Sequence, residues 1–190
     1  MLDETAAGVF TIAATPFLPD GALDLDSIDR MIDFYVGKGA TGLTILGMMG
    51  EAGKLSAEES LTVIRRVVAR TDLPVVVGVT APGLAAMSAL ACDAMEAGAA
   101  GVMVAPAASL RTDDQIVGHY VNVAEALGDI PFVLQDFPLV TGVQIAPSVI
   151  LRIVEACPTC VMLKHEDWPG LEKISALRRA SDGGARRISI

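Results

Sequence analysis

Six times along the chain a short apolar run gives way to a loop and then to residues at helical spacing, each unit taking roughly thirty residues. The apolar runs cover residues 8–15, 42–46, 74–79, 101–104, 131–135 and 161–164, and 187–190 opens a seventh. Between them, Ile28, Met31, Ile32 and Tyr35 share one face of a helix over 24–36. Ser56 with Glu59, and Thr112 with Gln115, have the spacing of capping boxes that start helices running to about residues 70 and 127. A small-residue helix to about residue 97, one with Pro147 in its first turn and one over 171–179 complete the pattern. Strands that read as continuous apolar runs are those buried on both faces, as in a parallel sheet covered by helices. The rhythm predicts an α/β fold, a TIM (β/α)8 barrel with about six and a half of its units in a single domain over residues 1–190, incomplete at its carboxyl end. A doubly wound open sheet is the alternative, with little support because neither G-x-G-x-x-G nor a P-loop follows the first run. A complete barrel takes about 250 residues, so the expectation is a piece of a longer product, or a barrel closed by a partner or another copy.

Composition narrows the function. The net charge is −9 and no Lys/Arg cluster offers a face to phosphates, which argues against nucleic acid as a partner. Mean hydropathy is high, at +0.52, yet the apolar runs fall far short of the ~20 residues a membrane-spanning helix needs. Residues 1–5 are acidic, with no basic flank and no apolar segment of an export signal, so the cytoplasm is the expected compartment. Cys157 and Cys160 form Cys-Pro-Thr-Cys, but they close a helix and precede a strand. A redox pair instead opens a helix, whose amino terminus stabilises the thiolate. This pair therefore reads as structural.

In barrels of this kind chemistry sits where strands end. The sixth run ends in Lys164, followed by His165, Glu166 and Asp167. A lysine there either snorkels to the end of the sheet or acts as a nucleophile toward a carbonyl. The second run ends in Gly47, Met48, Met49 and Gly50, a tight loop whose backbone N–H groups can hold a carboxylate without side-chain charge. No metal-ligand constellation is visible: His119 lies within a helix, and strand alternation sends His165 away from the lumen if Lys164 faces it.

These positions carry a resemblance. Thr15-Pro16-Phe17, the Gly-x-x-Gly-Glu loop from Gly47 to Glu51 with Leu55-Ser56 after it, the segment from Leu134 through Pro138 to Thr141-Gly142, and Lys164 recur in one order. The chain thereby resembles the dihydrodipicolinate synthase / N-acetylneuraminate lyase family of Schiff-base barrels, of the class I aldolase type. The resemblance implies that Lys164 condenses with pyruvate or another 2-oxo acid, that Gly47, Met48, Met49 and Gly50 bind its carboxylate, and that no cofactor or metal is needed. It also implies a homo-oligomer, a tetramer or a dimer. Several family positions differ. Met48 and Met49 stand where the family has two threonines, Gln135 at the strand-five tyrosine, Ala108 at about the second relay tyrosine and Val140 at the arginine. Glutamine forms hydrogen bonds but exchanges no proton near neutral pH. The expectation is a lyase other than the lysine-pathway synthase, with Lys164 and Gln135 as catalytic residues and with water, the substrate or a rim carboxylate (Asp136, Glu166 or Asp167) moving protons. A homologue that binds a small ligand or serves as an assembly subunit is the other reading.

Overall fold

Every strand pairs, in parallel, only with its neighbours in sequence. The computed structural model describes residues 1–190. Its sheet runs β1 (Phe10–Ile12), β2 (Gly42–Ile45), β3 (Val75–Gly78), β4 (Gly101–Val104), β5 (Phe132–Asp136) and β6 (Cys160–His165) in unbroken order. A doubly wound sheet reverses its strand order at a switch point; this one never does, and it curves as a partial barrel of about six βα units. The 187–190 run lies beside β6, where Leu163 N–H donates to the Ser189 carbonyl at 2.8 Å and Ser189 N–H to the Val161 carbonyl at 3.1 Å.

The helices are α1 (Leu25–Gly37), α2 (Ala57–Arg70), α3 (Leu84–Glu96), α4 (Asp113–Leu127), a short α5 (Pro138–Thr141), α6 (Pro147–Ala156) and α7 (Leu171–Asp182). Their starts follow the sequence signals. Asp24 caps α1 by accepting from Ser27 N–H, and both capping boxes, Ser56 with Glu59 and Thr112 with Gln115, are formed. Each such cap contributes about 1 kcal/mol. The first apolar run is longer than its strand: residues beyond Ile12 turn over the end of β2, where the Thr15 hydroxyl donates to the Gly50 carbonyl at 2.6 Å.

Alternation divides the apolar side chains into two layers. Leu43, Ile45, Val75, Val77, Val102 and Leu134 face outward and join the large core against the helices, with Ile32, Ile64, Tyr120 and Ile150 opposite them. Val76, Met103 and Val133 face the lumen, and Leu2 packs with them, its N–H donating to the Ala100 carbonyl at 2.7 Å. β6 breaks the alternation once. Phe132 pairs with Cys160 but Val133 pairs with Met162, so Val161 is an extra residue, a β-bulge. Cys160 and Leu163, three apart, both face the helices, and Lys164 is turned onto the lumen face.

The backbone after β2 crosses directly over β3. A Cβ built on Gly78 would overlap the Leu46 carbonyl and come within 3.2 Å of Gly47 N. Gly78→Ala should therefore destabilise the protein by about 2 kcal/mol, read from urea unfolding, whereas Gly118→Ala, on α4 with no atom within 4 Å of the added carbon, should leave stability unchanged or slightly raised.

Candidate active site

The β5–β6 register sorts the ionisable groups at this end of the sheet into two sets. Gln135 is paired with Lys164, and Asp136 with His165. The first pair faces the lumen and the second the helix layer. Glu166 follows two residues after Lys164 and returns to the lumen side; its N–H extends the ladder by donating to the Asp136 carbonyl at 2.8 Å. Its carboxylate then takes two hydrogen bonds, from Lys164 Nζ to Oε1 at 2.9 Å and from Gln135 Nε2 to Oε2 at 2.8 Å. Gln135 is buried, while the Lys164 and Glu166 side chains are 20% and 28% exposed. The nitrogen that the sequence marks as a nucleophile thus has a proton acceptor in contact with it.

The outward set is a buried ionic network. Asp136, with no solvent exposure, accepts from Lys173 Nζ on α7 at 2.8 Å, and its Oδ2 lies 2.9 Å from His165 Nδ1. Lys173 also donates to Asp167 Oδ2 at 2.7 Å, and His165 Nε2 lies 3.1 Å from the Gly170 carbonyl. The Lys173 hydrogen bond, reinforced by Trp168 N–H and by the charges of Lys173 and His165, holds the Asp167 carboxyl below its ordinary range against the opposing effect of burial. Of the three rim carboxylates the sequence offers, Asp136 and Asp167 are spent in this network and only Glu166 reaches the lumen.

The loop after β2 is bracketed by two strained residues, Leu46 at φ 53° and Glu51 at φ 54°, both in the left-handed region that costs a side-chain-bearing residue about 1–2 kcal/mol. Between them Gly47, Met48, Met49 and Gly50 donate no N–H to any other group of the protein. Gly50 is packed tightly: an added Cβ would lie 3.1 Å from Leu46 N and 3.3 Å from the Ala13 carbonyl. Gly47, Met48, Thr80, Met103 and Gln135 line a cleft of about 420 Å³ at the carboxyl end of the strands. Met49 is not part of that lining and is 62% exposed. Lys164 and Glu166 open instead on a larger cleft of about 850 Å³ that runs down the lumen between β1 and β6. Met103 borders both, and the Gln135–Glu166 hydrogen bond joins the wall of one to the wall of the other.

The two cysteines of Cys-Pro-Thr-Cys are buried, and burial pushes the Cys160 thiol up to about 12 and raises Cys157 as well. Arg186 seals this end of α6 by donating to the carbonyls of Val154, Cys157, Pro158 and Cys160. Burial thus favours both thiols over their thiolates, which fits a structural pair. Val140 lies on α5 and is 57% exposed.

Residues 5–178 match the family model described as Dihydrodipicolinate synthetase family. The 4-hydroxy-tetrahydrodipicolinate synthase of Sorangium cellulosum is 37% identical over 180 residues, which cover 93% of this chain and 60% of that protein. That of Methanothrix thermoacetophila is 36% identical over 149 residues, 78% of this chain and 50% of its own length. The crystal structure of dihydrodipicolinate synthase from Rhodopseudomonas palustris superposes with a TM-score of 0.97 at 53% identity, covering 100% of this chain and 64% of that one. A chloride-inhibited dihydrodipicolinate synthase from Acinetobacter baumannii complexed with pyruvate superposes at 0.85 with 27% identity, over 93% of this chain and 60% of its own. The chain thus spans less than two thirds of the length of these relatives.

Two outcomes follow from the outward network. Asp136→Ala leaves the Lys173 ammonium, 10% exposed, without one of its two carboxylates, and should cost about 3 kcal/mol in urea unfolding. Asp167→Asn should cost stability in a pH-dependent way. Because folding lowers the Asp167 carboxyl below its ordinary value, its contribution is complete above the unfolded pKa near 3.9 and is lost as pH falls through the lower folded value. In thermal scans the gap between wild type and Asp167→Asn should be constant from about pH 7 to pH 5 and should close below about pH 4.

Proposed function

The chain belongs to the dihydrodipicolinate synthetase family, and from that premise we propose a Schiff-base lyase in which Lys164 condenses with pyruvate or another 2-oxo acid, for aldol cleavage or condensation or for hydration or dehydration. The observation that carries this reading is the Lys164 nitrogen at the lumen end of β6 with a carboxylate oxygen 2.9 Å away. An amine attacks a carbonyl only in its neutral form, and a carboxylate in hydrogen-bond contact can take the proton that must leave. Condensation turns the carbonyl into an iminium, which draws electrons from the adjacent carbon and so assists bond making or breaking there. The substrate carboxylate would be held by the free N–H groups of Gly47, Met48, Met49 and Gly50, and Gln135 would orient the substrate from the cleft it shares with Gly47 and Met48. The choice of pyruvate is supported by the Acinetobacter baumannii complex.

Val140 in place of the family's arginine, and Met48, Met49 and Gln135 in place of its hydroxyl-bearing residues, turn the proposal away from the lysine-pathway synthase reaction toward another aldolase, hydratase or dehydratase. A cytoplasmic homo-oligomer completes the proposal. Leu139 and Val140 on α5, Trp168 in the loop after β6 and Leu171 at the start of α7, all more than half exposed, offer apolar surface to a second copy. A second reading, a homologue that binds a small ligand or joins an assembly without turnover, draws on the same replacements.

Borohydride trapping separates the two. Incubation with pyruvate followed by reduction should add the mass of a reduced pyruvyl group at Lys164, and Lys164→Ala should gain none. Absence of any adduct with pyruvate and a panel of 2-oxo acids would sink the lyase reading in favour of the second.

A further inference from the structure

We propose that Glu166 is the acid–base residue of this site, doing the work of a phenol that neither tyrosine of these six units brings to the lumen. The inference rests on the Schiff-base reading of Lys164. The chain has two tyrosines. Tyr120 is buried in the helix layer with its hydroxyl on the Val104 carbonyl at 3.3 Å, and Tyr35 packs against the same layer from α1. Neither reaches the lumen. Asp136 and Asp167 are held by Lys173 on the other face of β6. Glu166 is the one ionisable side chain in hydrogen-bond contact with Lys164 Nζ.

Its geometry suits the task. One carboxylate oxygen touches the reacting nitrogen, and the other is held by the Gln135 amide, which fixes the plane of the group without supplying a proton of its own. Glu166 also lines the larger cleft, so a molecule bonded to Nζ would lie beside it.

The proton balance closes without any further reactant. An ammonium and a 2-oxo acid carbonyl give an iminium and one water. The C–N bond forms, the C–O bond breaks, and the two protons that nitrogen loses travel through Glu166 to the departing oxygen, leaving the carboxylate as it began. Glu166 then removes a proton from C3, the C–H electron pair moves into the C2–C3 bond, and a neutral enamine and a neutral carboxylic acid result. Reprotonation at C3 by the same acid reverses the step.

This cycle is visible as exchange of the pyruvate methyl protons with D2O, followed by NMR and divided by the amount of enzyme that borohydride traps. Glu166→Gln keeps the hydrogen-bonding shape but cannot accept the proton. It should form the trapped adduct on long incubation, while its exchange per adduct falls at least about 100-fold. Glu166→Asp should retain part of the exchange. Unchanged exchange per adduct in Glu166→Gln would overturn the assignment and leave the Schiff-base reading intact. So would a Glu166→Gln enzyme that folds by circular dichroism yet forms no adduct, since the carboxylate would then merely hold the lysine. A wild type that traps no 2-oxo acid overturns the Schiff-base reading and this inference together.

Discussion

A fully buried carboxylate organises the carboxyl end of this sheet. Removing Asp136 from water is expensive unless cations and donors meet it, and they come from separate pieces of chain: Lys173 from α7 and His165 from β6. The same lysine reaches Asp167 in the intervening loop, and His165 reaches the Gly170 carbonyl at the start of α7. Such networks add little net stability over a well-packed apolar core, but they admit few alternative arrangements. What this one determines is the position of the end of β6. Strand side chains alternate, so anchoring His165 on the outer face leaves Lys164 and Glu166 facing the lumen with little freedom to rotate away. The chemistry inside is positioned by electrostatics outside.

That placement depends on one residue which no pattern in the chain announces. Counting alternately from Cys160, which faces the helices, would put Lys164 against the helices too. The bulge at Val161 shifts the count by one. The order of elements, the helix starts at Asp24, Ser56, Thr112 and Pro147, and the parallel character of the strands were all legible, because capping and buried-strand patterns are local. The bulge was not, because Cys-Val-Met-Leu is apolar throughout and offers no alternation to read. Only the ladder to Phe132 and Val133 reveals it. The resemblance around Lys164 reached the right face by another route.

The site itself was legible in part. The loop of Gly47 and Gly50 could be recognised from its glycines, and its unengaged N–H groups fit the anion-holding reading. That Met49 turns to solvent while Met48 stays on the cleft was beyond reach, since both are apolar and adjacent. Among Asp136, Glu166 and Asp167 the sequence offered no ranking. The i, i+2 spacing of Lys164 and Glu166 was the available signal, and it gains force only once Lys173, which looks like any surface lysine on an amphipathic helix, is seen to occupy the other two. Gln135 was read as a group that orients substrate; one N–H of its amide is engaged with Glu166, so any hold on substrate falls to its carbonyl oxygen or its second N–H.

The Lys164–Glu166 pair raises a question of charge. In a partly desolvated lumen an isolated cation is costly, and the proposed reaction carries one at the nitrogen through the iminium. With Glu166 in place, an ammonium beside a carboxylate becomes an iminium beside the same carboxylate, so the first stage asks for no new separation of charge. The second stage removes it: proton transfer from carbon to Glu166 converts the ion pair into a neutral enamine and a neutral acid. Low polarity favours neutral products over the ion pair that forms them, and a fixed partner avoids the reorganisation that solvent would require. A phenol does not fill the role in the same way, because it enters neutral and leaves the cation unbalanced until it has given up its own proton. On the proposed reading, glutamine at position 135 and an acid at 166 belong together. The amide that cannot exchange protons is the donor that keeps the carboxylate in place.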